Sequence, residues 1–219
     1  MRAIVLPVKS LEEAKTRLAG VLSPLERAAL TLAMLEDVVD VTLAMPGWAT
    51  WVISPDETVL EVALTRGAEP IREDAPPLSA AIHQVEEGAL GRGLEALAVL
   101  LPDTPLVTPL ALTRALHTLG PVVLAPSTDE SGTNLLLRRP PAAIASRFGS
   151  DSYRRHLEGA AERDLPIAVV EDPALGFDLD QPGDILTVLN ARRAGRTRQV
   201  LRDLDVTQRL ASRAGRAER

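Results

Sequence analysis

The chain has no cysteine, only five aromatic residues and only two lysines among 219 residues. Without cysteine there can be no disulfide framework, no zinc site of the Cys type and no thiol nucleophile. Aromatics at 2% leave no stacking platform for single-stranded nucleic acid, so no nucleic-acid partner is expected. No apolar run approaches the roughly 18 residues that cross a bilayer. The N-terminus reads as a strand and not as a charged segment followed by an apolar leader core. A cytoplasmic protein with no membrane partner is expected. The three histidines, His83, His117 and His156, fall in segments of helical pattern with no matched partners for a catalytic triad or a zinc site, and read as structural residues.

What is present is more telling. Positive charge is spelled almost entirely as arginine, and the two lysines, Lys9 and Lys15, both lie in the stretch Leu6-Pro7-Val8-Lys9-Ser10-Leu11-Glu12-Glu13-Ala14-Lys15-Thr16-Arg17-Leu18. An ammonium meets a phosphate as a compact point charge, a different task from the forked recognition of arginine. The preceding Arg2-Ala3-Ile4-Val5-Leu6 reads as a buried strand ended by Pro7, which cannot donate to a sheet ladder. Both lysines therefore follow the carboxyl end of the first strand, the edge of an open α/β sheet where ligands bind. Neither a P-loop nor a Gly-x-Gly-x-x-Gly pattern is present, so a phosphate here is gripped by side chains as well as amides. Read as the first turns of a helix, the segment keeps Lys9 at the phosphate-facing end and carries Lys15, about one and a half turns further on, toward solvent.

Length and a 46% hydrophobic content support one large α/β domain. Ser23-Pro24-Leu25-Glu26 is a capping box with proline at the first helical position, opening a long helix to about Met45. Strands are expected at 50–54, 69–72, 96–101, 122–125, 134–138 and 167–170. Helices are expected at 56–66, 78–90, 108–119 and 150–163, and from Asp180 through Leu189. Alternation over the first 125 residues implies a largely parallel sheet, and the sparser helices beyond make it mixed. Net charge is −6, yet between Arg192 and Arg219 nine arginines stand against Asp203, Asp205 and Glu218. Val200, Leu201, Leu204, Val206 and Leu210 mark a terminal helix packed on the body or on a second subunit, so a homodimer is one possible state. The expected organisation is a domain over 1–195 and an arginine-rich helix or tail over 196–219.

Three carboxylates stand out. Asp103 follows the apolar run Leu97-Ala98-Val99-Leu100-Leu101, where it is either a metal ligand at the end of a central strand or a turn residue satisfied by backbone amides. Asp178 and Asp180 are two residues apart, which points both the same way in an extended segment. Asp180 also serves as an N-cap candidate for the following helix. Magnesium takes oxygen ligands from one or two carboxylates plus substrate phosphates, an inventory that Asp103, Asp178 and Asp180 can supply, with Lys9, Lys15 and Arg17 as countercharge. Ser131-Gly132-Thr133-Asn134 and Phe148-Gly149-Ser150-Asp151-Ser152 combine glycine with hydroxyls and suit oxyanions.

The order of these pieces resembles a known family. Pro7-Val8-Lys9, Ala14-Lys15-Thr16-Arg17-Leu18, Leu22-Ser23-Pro24 with Glu26-Arg27, Asp103 with Pro105, Gly132-Thr133-Asn134, Phe148-Gly149 with Ser152 and His156, and Asp178 with Asp180 and Pro182 are similar to the 2-phospho-L-lactate or phosphoenolpyruvate guanylyltransferases of coenzyme F-420 biosynthesis. The resemblance covers residues 1 to about 190. It implies a three-layer nucleotidyltransferase fold of the glycosyltransferase-A type, GTP as donor, magnesium, and a small phosphorylated three-carbon acid as acceptor. It assigns Lys9 and Arg17 to the triphosphate, Pro7, Lys15, Leu78 and Ser79 to the nucleotide, and Asp103, Asp178 and Asp180 to metal. Thr133, Gly149 and Ser152 fall to the acceptor. The chain departs from the family pattern at Thr104 and at Pro77-Leu78-Ser79-Ala80-Ala81. Two rivals stand beside this expectation: a nucleotidyltransferase of the same fold using CTP or a sugar phosphate, and a non-catalytic nucleotide-binding regulator.

Overall fold

Strand β1 (Arg2–Pro7) runs through the middle of the molecule, and Ala3, Ile4, Val5 and Leu6 are wholly buried in it. Burial on both faces is the mark of a strand covered by helices on each side. Ile4 and Leu6 join one apolar layer, and Ala3 and Val5 the other, as a side-chain period of two requires. The computed structural model describes residues 1–74, 77–192 and 195–210. In it β1 is joined by β2 (Ala49–Ser54), β3 (Glu69–Arg72), β4 (Ala96–Leu100), β5 (Val122–Pro126), β6 (Thr133–Arg138) and β7 (Ile167–Val169) in one seven-stranded sheet of order β3-β2-β1-β4-β6-β5-β7. Every pairing is parallel except those of β6, which runs against both β4 and β5.

Helices α1 (Pro24–Leu43), α2 (Glu57–Arg66), α4 (Pro109–His117) and the short α6 (Pro173–Gly176) cover one face. Helix α3 (Leu78–Gly91) covers β1, β2 and β4 on the other, and α5 (Ser152–Ala161) covers β5 and β6 there. The result is a three-layer α/β/α sandwich with a mixed, mostly parallel sheet. Among the described residues no helix is long and apolar enough to cross a membrane. The capping box of α1 forms as the sequence reads: Ser23 Oγ accepts from the Glu26 amide and Glu26 accepts from the Ser23 amide. Arg209 and the Ser23 amide together hold the Glu26 carboxyl down to about 2.

Three local expectations are corrected. The segment after β1 is not a helix but two 3-10 turns, Leu11–Glu13 and Thr16–Leu18, with Lys15 between them in the left-handed region at φ 49°. Asp180 is not a cap: α7 (Asp184–Asn190) starts after Gly183, and it is Asp184 that accepts from the amides of Asp180 and Gln181. Helix α5 begins at Ser152, not Ser150, because Asp151 at φ 52° breaks the helical path.

The basic C-terminal segment is tied to the body through its described residues. Leu201 of α8 (Arg196–Asp203) and Val206 share a core with Leu30 and Met34 of α1 and Ile185 and Val188 of α7. Gly195 at the cap position of α8 has no side chain to offer its free amides, and Asp37 of α1 does so instead. Its buried carboxylate accepts from Arg196 N at 2.9 Å, Thr197 N at 2.9 Å and Thr197 Oγ1 at 2.7 Å. Arg196 also pairs with Glu36 and Asp40, so the acidic flank of α1 absorbs basic charge. Arginines beyond residue 210 lie outside the described residues. Removing a buried acceptor orphans its donors; Asp37→Ala is therefore expected to cost about 2–3 kcal/mol and to lower the thermal midpoint by about 5–10 °C. A midpoint within 1 °C of wild type in a calorimetric scan would show that α8 is held by other contacts.

Candidate active site

The chain leaves β1 through α1 toward β2 on one side, whereas α3 brings it back to β4 on the other. Connections therefore diverge at the carboxyl ends of β1 and β4, which opens a crevice there. Lys15, from the loop after β1, and Asp103, just past β4, meet across it. Lys15 Nζ lies 2.8 Å from Asp103 Oδ2 and 3.7 Å from Asp180 Oδ1, and its side chain is only 9% exposed. The expectation that Lys15 points to solvent is thus corrected. One left-handed residue between two tight turns swings the side chain inward, toward two carboxylates. The guanidinium of Arg27, buried in α1, holds this loop by donating to the carbonyls of Ala14 and Leu22. Lys9 is exposed on the wall of the crevice, and Arg17, also largely exposed, pairs with Asp180.

Leu179 organises the carboxylates. Its side chain is buried in the core and its amide donates to the Asp103 carbonyl at 2.9 Å, so the residues on either side of it, Asp178 and Asp180, both face the crevice. Asn134 fixes the approach to this segment by donating to the carbonyls of Leu175 and Gly176. Asp103 Oδ1 is buried with no hydrogen-bond partner among the described residues. Burial, reinforced by the charge of Asp103, pushes the Asp178 carboxyl up to about 6, against the pull of Lys15 and the Asn134 amide. Among the described residues no three acidic or imidazole groups form a metal cage by themselves. An unpartnered buried carboxylate oxygen beside a carboxyl reluctant to ionise is nevertheless a site short of positive charge. Its oxygen donors fit a hard divalent cation that completes its shell with phosphate oxygens.

The far wall is built of hydroxyls, amides and one carboxylate, Asp129. After β5, Ser127 Oγ accepts from the Gly132 amide at 2.7 Å and donates to Asp129 at 2.6 Å, while Ser131 donates to Asp129 through its amide and hydroxyl. These bonds hold the Asp129 carboxyl below its usual range and set the turn that leads into Thr133. Opposite it stands Gly149 at φ 106°, a backbone geometry that favours glycine. Ser152, in the first turn of α5, is buried beside it. Thr133 Oγ1 lies 3.0 Å from His156 Nδ1.

Pro7, Lys9, Lys15, Arg17, Asp103, Thr133, Gly149, Ser152, Asp178 and Asp180 thus line one cavity of about 890 Å³. Ser79, in the first turn of α3, is not part of this lining, and the Leu78 side chain lies outside the described set, as do residues 75 and 76 of the connection before it. Ser127 and Asp129 are wall residues that the motif reading passed over. The run of hydroxyl and acidic residues at 127–131 was the available signal. One end of the cavity offers cations and carboxylates and the other offers hydroxyls and amides, an arrangement able to hold two anions side by side.

A three-layer sandwich whose mostly parallel sheet has one reversed strand is the fold of solved nucleotidyltransferases. The putative nucleotide-diphospho-sugar transferase of Desulfovibrio desulfuricans shares it, with a TM-score of 0.76 over 95% of this chain and 97% of that one at 20% identity. Sequence places the chain more narrowly: residues 1–218 match the family described as guanylyl transferase CofC like, and the chain belongs to it. It is 41% identical to the phosphoenolpyruvate guanylyltransferase of Rubrobacter xylanophilus over 83% of this chain and 90% of that protein. With the 3-phospho-D-glycerate guanylyltransferase of Phenylobacterium zucineum it shares 37% identity over 93% and 97% of the two chains. With the 2-phospho-L-lactate guanylyltransferase of Methanothermobacter thermautotrophicus it shares 32% over 98% and 96%. The chain is an enzyme of the nucleotidyl-transferring kind.

The raised Asp178 carboxyl makes the site a source of pH-dependent instability. Its acid form is favoured in the fold up to about pH 6 but in the unfolded chain only to 3.8. The penalty for ionising it is therefore full above pH 6 and fades as pH falls toward 4. Discounted for partial exposure, it amounts to about 1–2 kcal/mol. Without divalent cations, Asp178→Asn is expected to raise the thermal midpoint by about 2–6 °C at pH 8 and to leave it unchanged at pH 4. Equal stabilisation at both pH values would refute the electrostatic cause.

Proposed function

We propose that this protein transfers the guanylyl group of GTP to a small phosphorylated three-carbon acid, with release of pyrophosphate, as the resemblance to enzymes of coenzyme F-420 biosynthesis implies. The observation that carries the reading is the pairing of two unlike anion sites in one cavity. Lys15, Lys9, Arg17 and the carboxylates at one end suit a triphosphate, and Thr133, Gly149 and Ser152 at the other suit a smaller acid. Relatives named for phosphoenolpyruvate, 3-phospho-D-glycerate and 2-phospho-L-lactate support an acceptor of this class.

In this reading an acceptor phosphate oxygen attacks the α-phosphorus of GTP, the bond from that phosphorus to the β-phosphate oxygen breaks, and pyrophosphate leaves with the electron pair. The second pKa of a phosphate is near 6, so the nucleophile is already ionised at neutral pH and needs no general base. His156 fits that absence: burial and the charges of Arg138, Arg155 and Arg147 hold it down to about 3, and both of its nitrogens are engaged. The work left to the chain is alignment and charge neutralisation. Lys15 and Arg17 contribute the fixed cations, and Thr133, Gly149 and Ser152 hold the acceptor in line. Magnesium, held by Asp103, Asp178 and Asp180, would supply the remaining positive charge against the triphosphate.

Incubation with GTP, magnesium and each of the three acids, with product masses and pyrophosphate read together, is expected to yield a guanylylated acid. Turnover with CTP alone, or tight nucleotide binding without pyrophosphate release, would overturn the assignment. Asp103→Asn keeps the shape of the side chain but loses its charge, and is expected to abolish magnesium-dependent turnover without loss of fold. The two lysines should separate sharply. Lys15→Ala removes a buried cation and is expected to lose about 1.5–3 kcal/mol, roughly tenfold to more than a hundredfold in turnover. Lys9→Ala, at an exposed position, is expected to lose less. Equal, small effects in side-by-side turnover assays would remove the loop after β1 from the phosphate grip.

A further inference from the structure

The buried imidazole of His156 has both nitrogens occupied, and the identity of one partner fixes the other. The backbone N–H of Arg147 donates to Nε2 at 2.9 Å. A backbone amide can only donate, so Nε2 carries the lone pair. In the neutral ring the hydrogen is then on Nδ1, 3.0 Å from Thr133 Oγ1. Thr133 must accept there, and its own hydroxyl hydrogen is left to point elsewhere. Thr133 forms part of the cavity wall together with Gly132, Gly149 and Ser152.

We propose that His156 is a positioning residue that makes the Thr133 hydroxyl an obligate hydrogen-bond donor to the acceptor's anionic group. The proposal rests on the guanylyl-transfer reading and goes beyond it. A free hydroxyl presents either a hydrogen or a lone pair, and a lone pair facing an anion repels it. The imidazole removes that choice. The same ring also fixes the loop on the other side of the pocket, because the Arg147 amide leads directly into Phe148 and Gly149. Phe148 meets the ring edge-on at 5.1 Å between centroids and restrains its rotation. Burial and the three nearby arginines keep the ring uncharged, so it takes up no second proton as pH varies about neutrality, while the Arg147 amide holds the one proton on Nδ1.

Two measurements on the full chain test this. In a nitrogen-15 spectrum of the histidine rings at pH 6 to 8, assigned by the signals lost in His156→Asn, Nδ1 is expected in the protonated range and Nε2 in the unprotonated range. In steady-state assays, His156→Asn places an amide N–H where Nδ1 stood and is expected to keep the acceptor KM within about threefold. His156→Gln reaches the Arg147 amide but offers Thr133 no donor, and is expected to raise the acceptor KM about tenfold with the GTP KM unchanged. Combined with Thr133→Val, His156→Gln is expected to add nothing to the loss from Thr133→Val alone. A proton on Nε2, equal effects of the two histidine variants, an equal rise in the GTP KM, or multiplied losses in the double variant would each overturn the proposal. If no acid is guanylylated by the wild type, the functional reading fails, and the nitrogen spectrum still decides the tautomer independently.

Discussion

The contact between Lys15 and Asp103 is where the topology of the sheet becomes chemistry. It exists only because β1 and β4 are neighbours although 88 residues separate the two side chains in sequence. That adjacency is made by α3, which returns the chain past β1 after β2 and β3 have been laid down on its other side. Lys15 reaches the crevice through a backbone conformation unfavourable to a residue with a side chain. The buried Arg27 guanidinium, bonded to the carbonyls of Ala14 and Leu22, supports that conformation.

The charges gathered around this pair are poorly satisfied by one another. Asp103 keeps one buried oxygen without a partner, and Asp178 resists ionisation beside it. A fold optimised for stability alone would not bring three carboxylates to one sheet edge. Such strain is characteristic of sites built to receive a charged ligand, and the stability to tolerate it comes from elsewhere. Four apolar clusters fill the layers and the flank of α1, and the Asp37 cap locks α8 against the helix that follows the strained loop.

The opposite wall is built on another principle. Its hydroxyls, amides and the one Asp129 carboxylate are set by hydrogen-bonded geometry: the Ser127–Asp129–Ser131 turn, the left-handed Gly149 and the His156 clamp. A proposed division follows, in which the triphosphate end works through charge and the acceptor end through the direction of hydrogen bonds. Enzymes that join two anions face repulsion between substrates, and preorganised donors avoid reorganisation when the charge arrives.

Much of this was legible in the sequence wherever one segment sufficed. The capping box at Ser23–Glu26, the apolar run of β1 and the alternation that places Asp178 and Asp180 on one side of Leu179 are local patterns, and their outcome follows from backbone periodicity. The resemblance to the guanylyltransferases was likewise carried by motifs in the chain. Other features depended on partners distant in sequence. A single positive φ at Lys15 turned its side chain to Asp103 instead of to solvent, and periodicity carries no trace of such an event. Asp184 displaced Asp180 as the group facing the free amides before α7, a choice between two nearby carboxylates that only the path of the backbone makes. The tautomer of His156 depends on an amide nine residues away and a hydroxyl twenty-three away. Sequence by itself determined the strands, the longer helices and which residue types are available. Tertiary structure decided which charges meet and which way each hydrogen bond points, because those depend on distances that close only when the sheet is assembled.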